Sequence, residues 1–212
     1  MKDFPVFTTE YGVASLILKE IPYQQTAYVI IRDSLEPEKL VEECTSFCRA
    51  CGAETVYATG HDYLEQFPLY TVLAEMRCDL AGFPDTDASL FPVQEKTLLE
   101  WMDIYNQKIP AVPNGAWMTN ADGREMLKRG DGYFVHLDGE LLGIGMAAED
   151  HIDWVASVRA GAGRDVVCAL THAIVADSVK LTVSQENEKA VRLYERLGFL
   201  KTREISRWYR LR

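Results

Sequence analysis

The sequence predicts an α/β fold, in which a central mixed β-sheet is flanked by helices and preceded by a small N-terminal α/β extension. Three observations support this class. Segments rich in β-forming residues alternate along the chain with amphipathic segments of helical period. Glycine, proline and asparagine stand between them, where turns and helix ends are needed. With 48% hydrophobic residues, the chain can bury a sizeable core between the layers.

The first 71 residues predict the small extension. Pro37 stands in the first turn of an amphipathic helix, and Gly52 follows that helix as a stop signal. The predicted elements are strands at 14–21 and 26–32, a helix at 37–51 and a strand at 54–59. Part of this order recurs later in the chain. Either the extension is a degenerate half-copy of the later unit, or ordinary α/β elements resemble one another by chance.

Residues 72–212 predict the main domain. Alternating apolar and charged residues mark a strand at its start, and Asp138-Gly139 between two apolar segments is a strong hairpin signal. The predicted strands are at 72–80, 133–137, 141–147, 151–158, 179–183 and 199–211. The predicted helices are at 92–108, 120–128, 161–177 and 188–197, with loops at 81–90 and 109–115. This order can bury a sheet between helices.

Charge and composition exclude several classes of function. The net charge is −10 and the isoelectric point about 4.9, which argues against nucleic-acid binding. The acidic charge fits either a solubilising surface or, more weakly, a cleft for a cationic substrate. No apolar run approaches the roughly 20 residues of a membrane-spanning helix, and no secretory signal is visible. The five cysteines lie in apolar patterns, as in a reducing compartment. We therefore expect a cytoplasmic protein with neither nucleic-acid nor membrane partners.

Three of the cysteines have a spacing that is used for iron–sulfur clusters. Cys44, Cys48 and Cys51 fit the pattern C-x3-C-x2-C. All three fall on the apolar stripe of the predicted helix at 37–51, a setting typical of buried core cysteines. We therefore predict that they pack in the core and that the chain has no metal site.

The C-terminal segment contains the most specific motif of the sequence. It reads Val183-Ser-Gln-Glu-Asn187, then Ala190, then Leu193-Tyr-Glu-Arg-Leu-Gly-Phe199. This motif, after a strand and along a helix, resembles the end of the motif set of the GNAT N-acetyltransferases. The element order extends the resemblance over residues 72–212. The resemblance implies a GNAT-like sheet. It also implies an enzyme that moves an acetyl group from acetyl-CoA to a primary amine of a small molecule or peptide, by direct attack in a ternary complex.

A glycine-containing loop, Arg159-Ala-Gly-Ala-Gly-Arg164, precedes a predicted helix upstream of this motif. A helix N-terminus presents unpaired N–H groups and a partial positive charge, so it can hold a phosphate, and glycines let the backbone approach the anion closely. In GNAT proteins this loop holds the coenzyme A pyrophosphate. The sequence differs from the GNAT pattern at the start of the loop. Val158 stands where that pattern usually has Gln or Arg, and Arg159 follows one position later.

The resemblance implies a set of coenzyme-binding residues in the strand, the loop and the last helix. They are Val155, Ala156, Ser157, Val158, Arg159, Ala160, Gly161, Ala162, Gly163, Arg164, Asn187 and Tyr194. The strand residues would contribute backbone groups to the pantetheine arm and an N–H to the thioester oxygen. Asn187 is also a suitable helix cap by its position, and the two roles are compatible.

Two side chains are candidates for proton transfer. The resemblance assigns the general acid to Tyr194, which would protonate the departing thiolate; the alternative is a core tyrosine on an amphipathic helix. An alkyl ammonium must lose a proton before it attacks. We choose Asp153 as the base over Glu149, Asp150 and His151, because some GNAT members carry an acidic base in this strand. A solvated edge of the sheet is the alternative for each of these four residues.

The sequence leaves three questions open. The alternative function is a non-catalytic acyl-CoA-binding or regulatory module that shares the fold. Trp117 lies in a loop between predicted helices, a region that often shapes the acceptor site in GNAT proteins. Residues 1–71 either form a homodimer interface or close over the site.

Overall fold

The computed structural model describes residues 5–211 and divides into two compact units. The first unit contains the residues up to Leu73 together with those from Ile205 onward, and the second contains Ala74–Glu204. The predicted domains, 1–71 and 72–212, stay a prediction.

The first unit packs a mixed sheet against one amphipathic helix. Its elements are β1 (Val6–Thr9), β2 (Gly12–Ile17), α1 (Ile21–Gln24), β3 (Thr26–Ser34), α2 (Pro37–Ala50), β4 (Thr55–Thr59) and the last residues of β11 (Leu200–Leu211). The strand order is β1-β2-β3-β4-β11, in which β3 and β4 are parallel and the other pairs antiparallel. Leu40 and Cys44 of α2 share a core with Val29 and Val56 of the sheet. The predicted α/β extension thus forms a sheet with its own core.

The cysteines of α2 confirm the prediction in part. Cys44 and Cys48 are fully buried, and burial raises the pKa of their thiols to about 12 and about 11. They are therefore protonated core side chains at neutral pH. Cys51 was wrongly placed on the buried stripe: it follows the end of α2 and is exposed, because the helix stops one residue earlier than predicted.

The second unit contains a larger mixed sheet with helices. Its elements are β5 (Leu69–Asp79, from Ala74 onward), β6 (Ser89–Pro92), α3 (Leu98–Lys108), α4 (Asn120–Arg129), β7 (Gly132–Leu137), β8 (Glu140–Ala148), β9 (His151–Ser157), α5 (Gly163–Thr171), β10 (Ser178–Ser184), α6 (Glu188–Arg196) and the first residues of β11. The strand order is β11-β5-β10-β9-β8-β7-β6. Strands β6 to β9 are antiparallel, and β9 and β10 are parallel.

The hairpin of β7 and β8 confirms the clearest local prediction. Asp138 and Gly139 between the two strands have φ angles of 52° and 81°, the left-handed values that an Asp-Gly turn supplies. Within β8, Gly143 and Gly145 lie against Val166 and Leu170 of α5. The absence of side chains at these two glycines lets α5 lie directly on the sheet.

The elements predicted around residue 90 are partly wrong. The predicted loop is confirmed for residues 81–88, but its last two residues and Pro92 belong to β6, which pairs with β7, and α3 begins only at Leu98. Strand β6 lies at the end of the strand order, where a proline is tolerated, and its four residues are too few to show alternation. The strand predicted at 72–80 forms as β5, between β10 and β11.

Several helix ends also differ from the predictions. Helix α5 begins at Gly163 and ends at Thr171, because Gly161 is left-handed and the N–H groups of His172 and Ala173 bond back three residues. In the first unit, the strand predicted at 14–21 ends at Ile17, and Ile21–Gln24 form the single helical turn α1. Among residues 5–211, no helix is both long enough and apolar enough to span a membrane.

We predict that Gly143→Ala destabilises the second unit by about 2 kcal/mol, because overpacking typically costs 1–3 kcal/mol. The new Cβ would meet the backbone oxygen of Ala156 and lie 2.7 Å from Val166 Cγ2. Urea unfolding measures the loss. The control is Gly139→Asn, which has open space around its Cβ, so that it should cost only the backbone strain of its φ angle, which Asn bears better than most residues. Equal stability of Gly143→Ala and the native chain would contradict the packing described for α5.

Candidate functional site

Strands β9 and β10 separate after a short paired stretch. Their parallel register pairs Lys180 with His151 and Leu181 with Ile152, and it contains no further pair among the described residues. Strand β9 nevertheless continues to Ser157. The backbone N–H and C=O groups of β9 that would face β10 after Ile152 are therefore available to a ligand. We call this divergence of the two strands the fork.

A β-bulge lies at the start of the fork. In the β8–β9 register, Met146 pairs with Trp154 and Ala147 pairs with Ile152, so Asp153 is the extra residue of β9. A bulge turns side chains and backbone groups away from the regular ladder, and bulges are common beside active sites. The predicted base thus lies where the two strands begin to diverge.

The carboxylate of Asp153 has a raised pKa. The residue remains exposed at its surface, yet the surrounding protein removes enough water from the carboxylate to disfavour its charged form. The negative charge of Asp131 raises the pKa further, whereas His151 and Arg129 lower it. Loss of water is the largest of these effects. A raised pKa suits a group that must accept a proton near neutral pH.

Asp131 is a neighbour of this site that the sequence analysis did not identify. Its side chain is 4% exposed, and its Oδ2 accepts a hydrogen bond of 2.5 Å from Arg129 Nε. Its Oδ1 is buried without a hydrogen-bond partner among the described residues. The backbone oxygen of Asp131 accepts from the N–H of Ala147, which pairs with the residue before Asp153. In the sequence, Asp131 stands between two glycines and looks like part of a turn.

The other acidic candidates have different surroundings. Asp150 accepts hydrogen bonds from Lys180 Nζ and, at 2.6 Å, contacts His151 Nδ1. These contacts, with that of Lys180 the largest, lower the pKa of Asp150 and keep its carboxylate ionised. Glu149 has a φ angle of 54° in the turn before β9. The structure therefore distinguishes Asp153, with its raised pKa, from a neighbour that is paired with a lysine.

The loop after β9 leads directly into helix α5. The N–H groups of Val158 and Arg159 both donate to the backbone oxygen of Leu142, at 2.9 and 3.3 Å. Gly161 has a φ angle of 84°, and no atom lies within 4 Å of the position its Cβ would take. No side chain caps the N-terminus of α5 at Ala162. The first turn of α5 therefore has backbone N–H groups without a side-chain cap, and Gly161 before it faces open space.

The two arginines of the loop make contacts with neighbouring acidic or carbonyl groups. Arg159 forms an ion pair with Glu140. Arg164 Nη1 lies 3.0 Å from Asp165 Oδ1, and its Nη2 donates to the backbone oxygen of Asp85 at 3.3 Å. Both arginines are about half exposed, so neither ion pair fixes them strongly.

Tyr194 and Asn187 lie on helix α6. Tyr194 is 7% exposed, and burial raises the pKa of its hydroxyl to about 12, which keeps it protonated at neutral pH. Its ring packs 5.7 Å from that of Phe199. Asn187 caps α6, since its Oδ1 accepts from the N–H of Ala190 at 3.3 Å. The predicted cap is confirmed, and the predicted coenzyme contacts of both residues stay predictions.

Trp117, the predicted acceptor-site residue, packs beside the core of α3 and α4. It is partly buried against a cluster that contains Trp101 and Met126. The neighbouring backbone is fixed by hydrogen bonds, because Asn106 bonds both the N–H and the C=O of Met118. Its predicted role stays a prediction.

Comparisons with known proteins support the fold. A family profile described as FR47-like protein matches residues 156–209, which contain the loop, α5 and α6. No curated protein matches the sequence significantly. A conserved Staphylococcus epidermidis protein of unknown function superposes with a TM-score of 0.60 at 11% identity, over 98% of this chain and 93% of its own.

Two further solved structures are acetyltransferases by description. A GNAT-family acetyltransferase from Colwellia psychrerythraea has a TM-score of 0.55 at 12% identity, with 98% of this chain and 84% of that chain covered. A tandem GNAT protein of the clavulanic acid biosynthesis pathway has a TM-score of 0.52 at 14% identity, with 94% and 78% covered. This chain therefore has the fold of the GNAT acetyltransferases, and the predicted fold class is confirmed.

We predict that Asp131→Asn lowers the pKa of Asp153. The substitution removes a like charge and leaves the Arg129 guanidinium free to stabilise the ionised carboxylate. A titration of the side-chain carboxyl carbons by NMR measures the change. Asp138→Asn, in the β7–β8 turn, is the control and leaves the titration of Asp153 as it was. An unaltered Asp153 titration in a folded Asp131→Asn protein would show that the two carboxylates do not interact.

Proposed function

We propose that this chain is an acetyl-CoA-dependent N-acetyltransferase that acts on a primary amine of a small molecule or peptide. The observation that carries the proposal is the fork of β9 and β10, which leads into the uncapped N-terminus of α5. An extended backbone edge followed by a helix N-terminus suits a ligand with amide groups at one end and phosphates at the other. The GNAT fold supports the same function.

The chain can hold the coenzyme through backbone groups. Residues 155–157 of β9 offer N–H and C=O groups in the fork to the pantetheine amides. The N–H groups of Val158 and Arg159 already bond Leu142, so the phosphates would meet those of Gly161, Gly163 and Arg164. This shift along the loop agrees with the departure from the GNAT pattern at Val158. The coenzyme supplies an acyl thioester and a thiolate leaving group.

Two proton transfers are assigned to side chains of this chain. Asp153 takes a proton from the acceptor ammonium, directly or through a water, so that the amine lone pair can form the new C–N bond. Its raised pKa makes it a stronger base than an ordinary aspartate. Tyr194, which is protonated at neutral pH, donates its hydroxyl proton to the sulfur as the C–S bond breaks. The nitrogen, positively charged after the C–N bond has formed, loses its second proton as it becomes an amide nitrogen, and this proton restores the Tyr194 hydroxyl. Activity should then rise as pH rises through the pKa of Asp153.

A non-catalytic acyl-CoA-binding module is the second candidate. The observation that favours it is the burial of Tyr194, whose ring belongs to the core with Leu197 and Phe199. If Tyr194 only packs in the core, the chain can still bind the coenzyme, but it has no general acid for acetyl transfer. The roles proposed for residues 1–71, as a half-copy of the fold or a homodimer interface, and a cytoplasmic location stay predictions.

We predict that acetyl-CoA stabilises the protein. Acetyl-CoA at 100 times its dissociation constant should add about 2.7 kcal/mol to the free energy of unfolding. Thermal unfolding with and without acetyl-CoA measures this effect.

We predict that Tyr194→Phe slows transfer without weakening binding. Loss of the general acid should lower kcat by about 100-fold and leave KM for acetyl-CoA within about twofold. Thiol release across a panel of amines measures this effect.

The matched control is Tyr133→Phe, which removes a hydroxyl from a tyrosine packed on the same core. It should leave kcat unchanged. Stabilisation by acetyl-CoA without thiol release for any amine would favour the non-catalytic module. The absence of both stabilisation and turnover would refute coenzyme binding at this fold.

A further inference from the structure

A cavity of about 550 Å³ lies at the β6 end of the sheet in the second unit. In the strand register Phe91 pairs with Phe134, and His136 pairs with both Ser89 and Leu141. Direct partners point to the same face of a sheet, so these five side chains form one wall. The opposite wall comes from Gln94 and Thr97, which precede α3, and from Glu100 in the first turn of α3.

This cavity is separate from the candidate site. Its lining residues come from β6, β7, β8, the turn between β7 and β8, and the start of α3. None of them belongs to β9, α5 or α6, which form the fork and carry the candidate catalytic residues. An inference about the cavity therefore does not rest on the proposed acetyl transfer.

The wall of the cavity combines aromatic surface with an unpaired polar atom. Phe134 is buried, whereas Phe91 is 52% exposed although its ring lies 5.1 Å from the imidazole of His136. His136 lines the cavity as a residue, whereas its Nδ1 is buried in the wall and has no hydrogen-bond partner among the described residues.

The charges at the cavity favour a cation. Three acidic residues, Asp87, Glu100 and Asp138, line it together with one basic residue, Lys96. The excess of negative charge attracts a small cation and repels phosphates and carboxylates. The whole chain, with its net charge of −10, adds to this preference.

We propose that this cavity is a binding site for a small organic ammonium ion with an aromatic or apolar body. The volume is that of a site for a small organic ligand, which typically spans 300–1,000 Å³. The apolar body lies against Phe91 and Phe134, and the ammonium group lies among the carboxylates.

Phenethylamine tests this assignment, with 2-phenylethanol as its neutral counterpart. Isothermal titration of the full chain, without any coenzyme, should show phenethylamine binding at least tenfold more tightly than the alcohol. Added salt should weaken the binding, because the carboxylates are partly exposed. NMR should show shifts of the His136 imidazole signals and of the Phe91 ring upon titration.

Two variants decide whether the carboxylates are responsible. Glu100→Gln combined with Asp87→Asn should weaken phenethylamine binding by about tenfold. The control is Glu95→Gln, which makes the same change in the same segment at a residue that does not line the cavity. Equal affinities for the amine and the alcohol, no binding at millimolar concentration, or an unchanged affinity of the double variant would each overturn the proposal. Transfer activity, present or absent, has no bearing on these results.

Discussion

The separation of β9 from β10 beyond Ile152 is the constraint on which the candidate site depends. Two paired positions hold the parallel strands together before that point, and the open edge of β9 continues afterwards. Helix α5 connects the strands and lies close to β8, because Gly143 and Gly145 leave room for its side chains. The open backbone edge therefore leads through a short loop to a helix N-terminus without a side-chain cap.

The charges around the fork separate two neighbouring aspartates. Asp150 is bonded by Lys180 and His151, which lowers its pKa and keeps it ionised. Asp153 sits in the bulge with partial loss of water and a like charge nearby, which raises its pKa. Where the surroundings shift the pKa values of two neighbouring carboxylates in opposite directions, one of the two commonly takes part in proton transfer. Asp150 and Asp153, whose pKa values are shifted in opposite directions, thus lie within four residues of one chain segment.

Much of the second unit could be predicted because its local signals agree with its packing. The Asp138-Gly139 turn and the Asn187 cap formed at the predicted residues. Strand β6 could not be predicted, since it is short, contains a proline and depends on pairing with β7. Asp131 was missed for a related reason. Its burial and its proximity to Asp153 come from the pairing of β8 with β7 and with β9, which no local pattern encodes.

Backbone amide NMR of the native chain with increasing acetyl-CoA tests whether the fork binds the coenzyme. We expect the largest chemical-shift changes in residues 153–157 of β9 and at Gly161, Gly163 and Arg164, where the fork meets α5. Residues of the first unit, such as those of α2, should change little. Saturable binding whose largest changes lie outside β9 and the start of α5 would contradict the assignment of the fork as the coenzyme site.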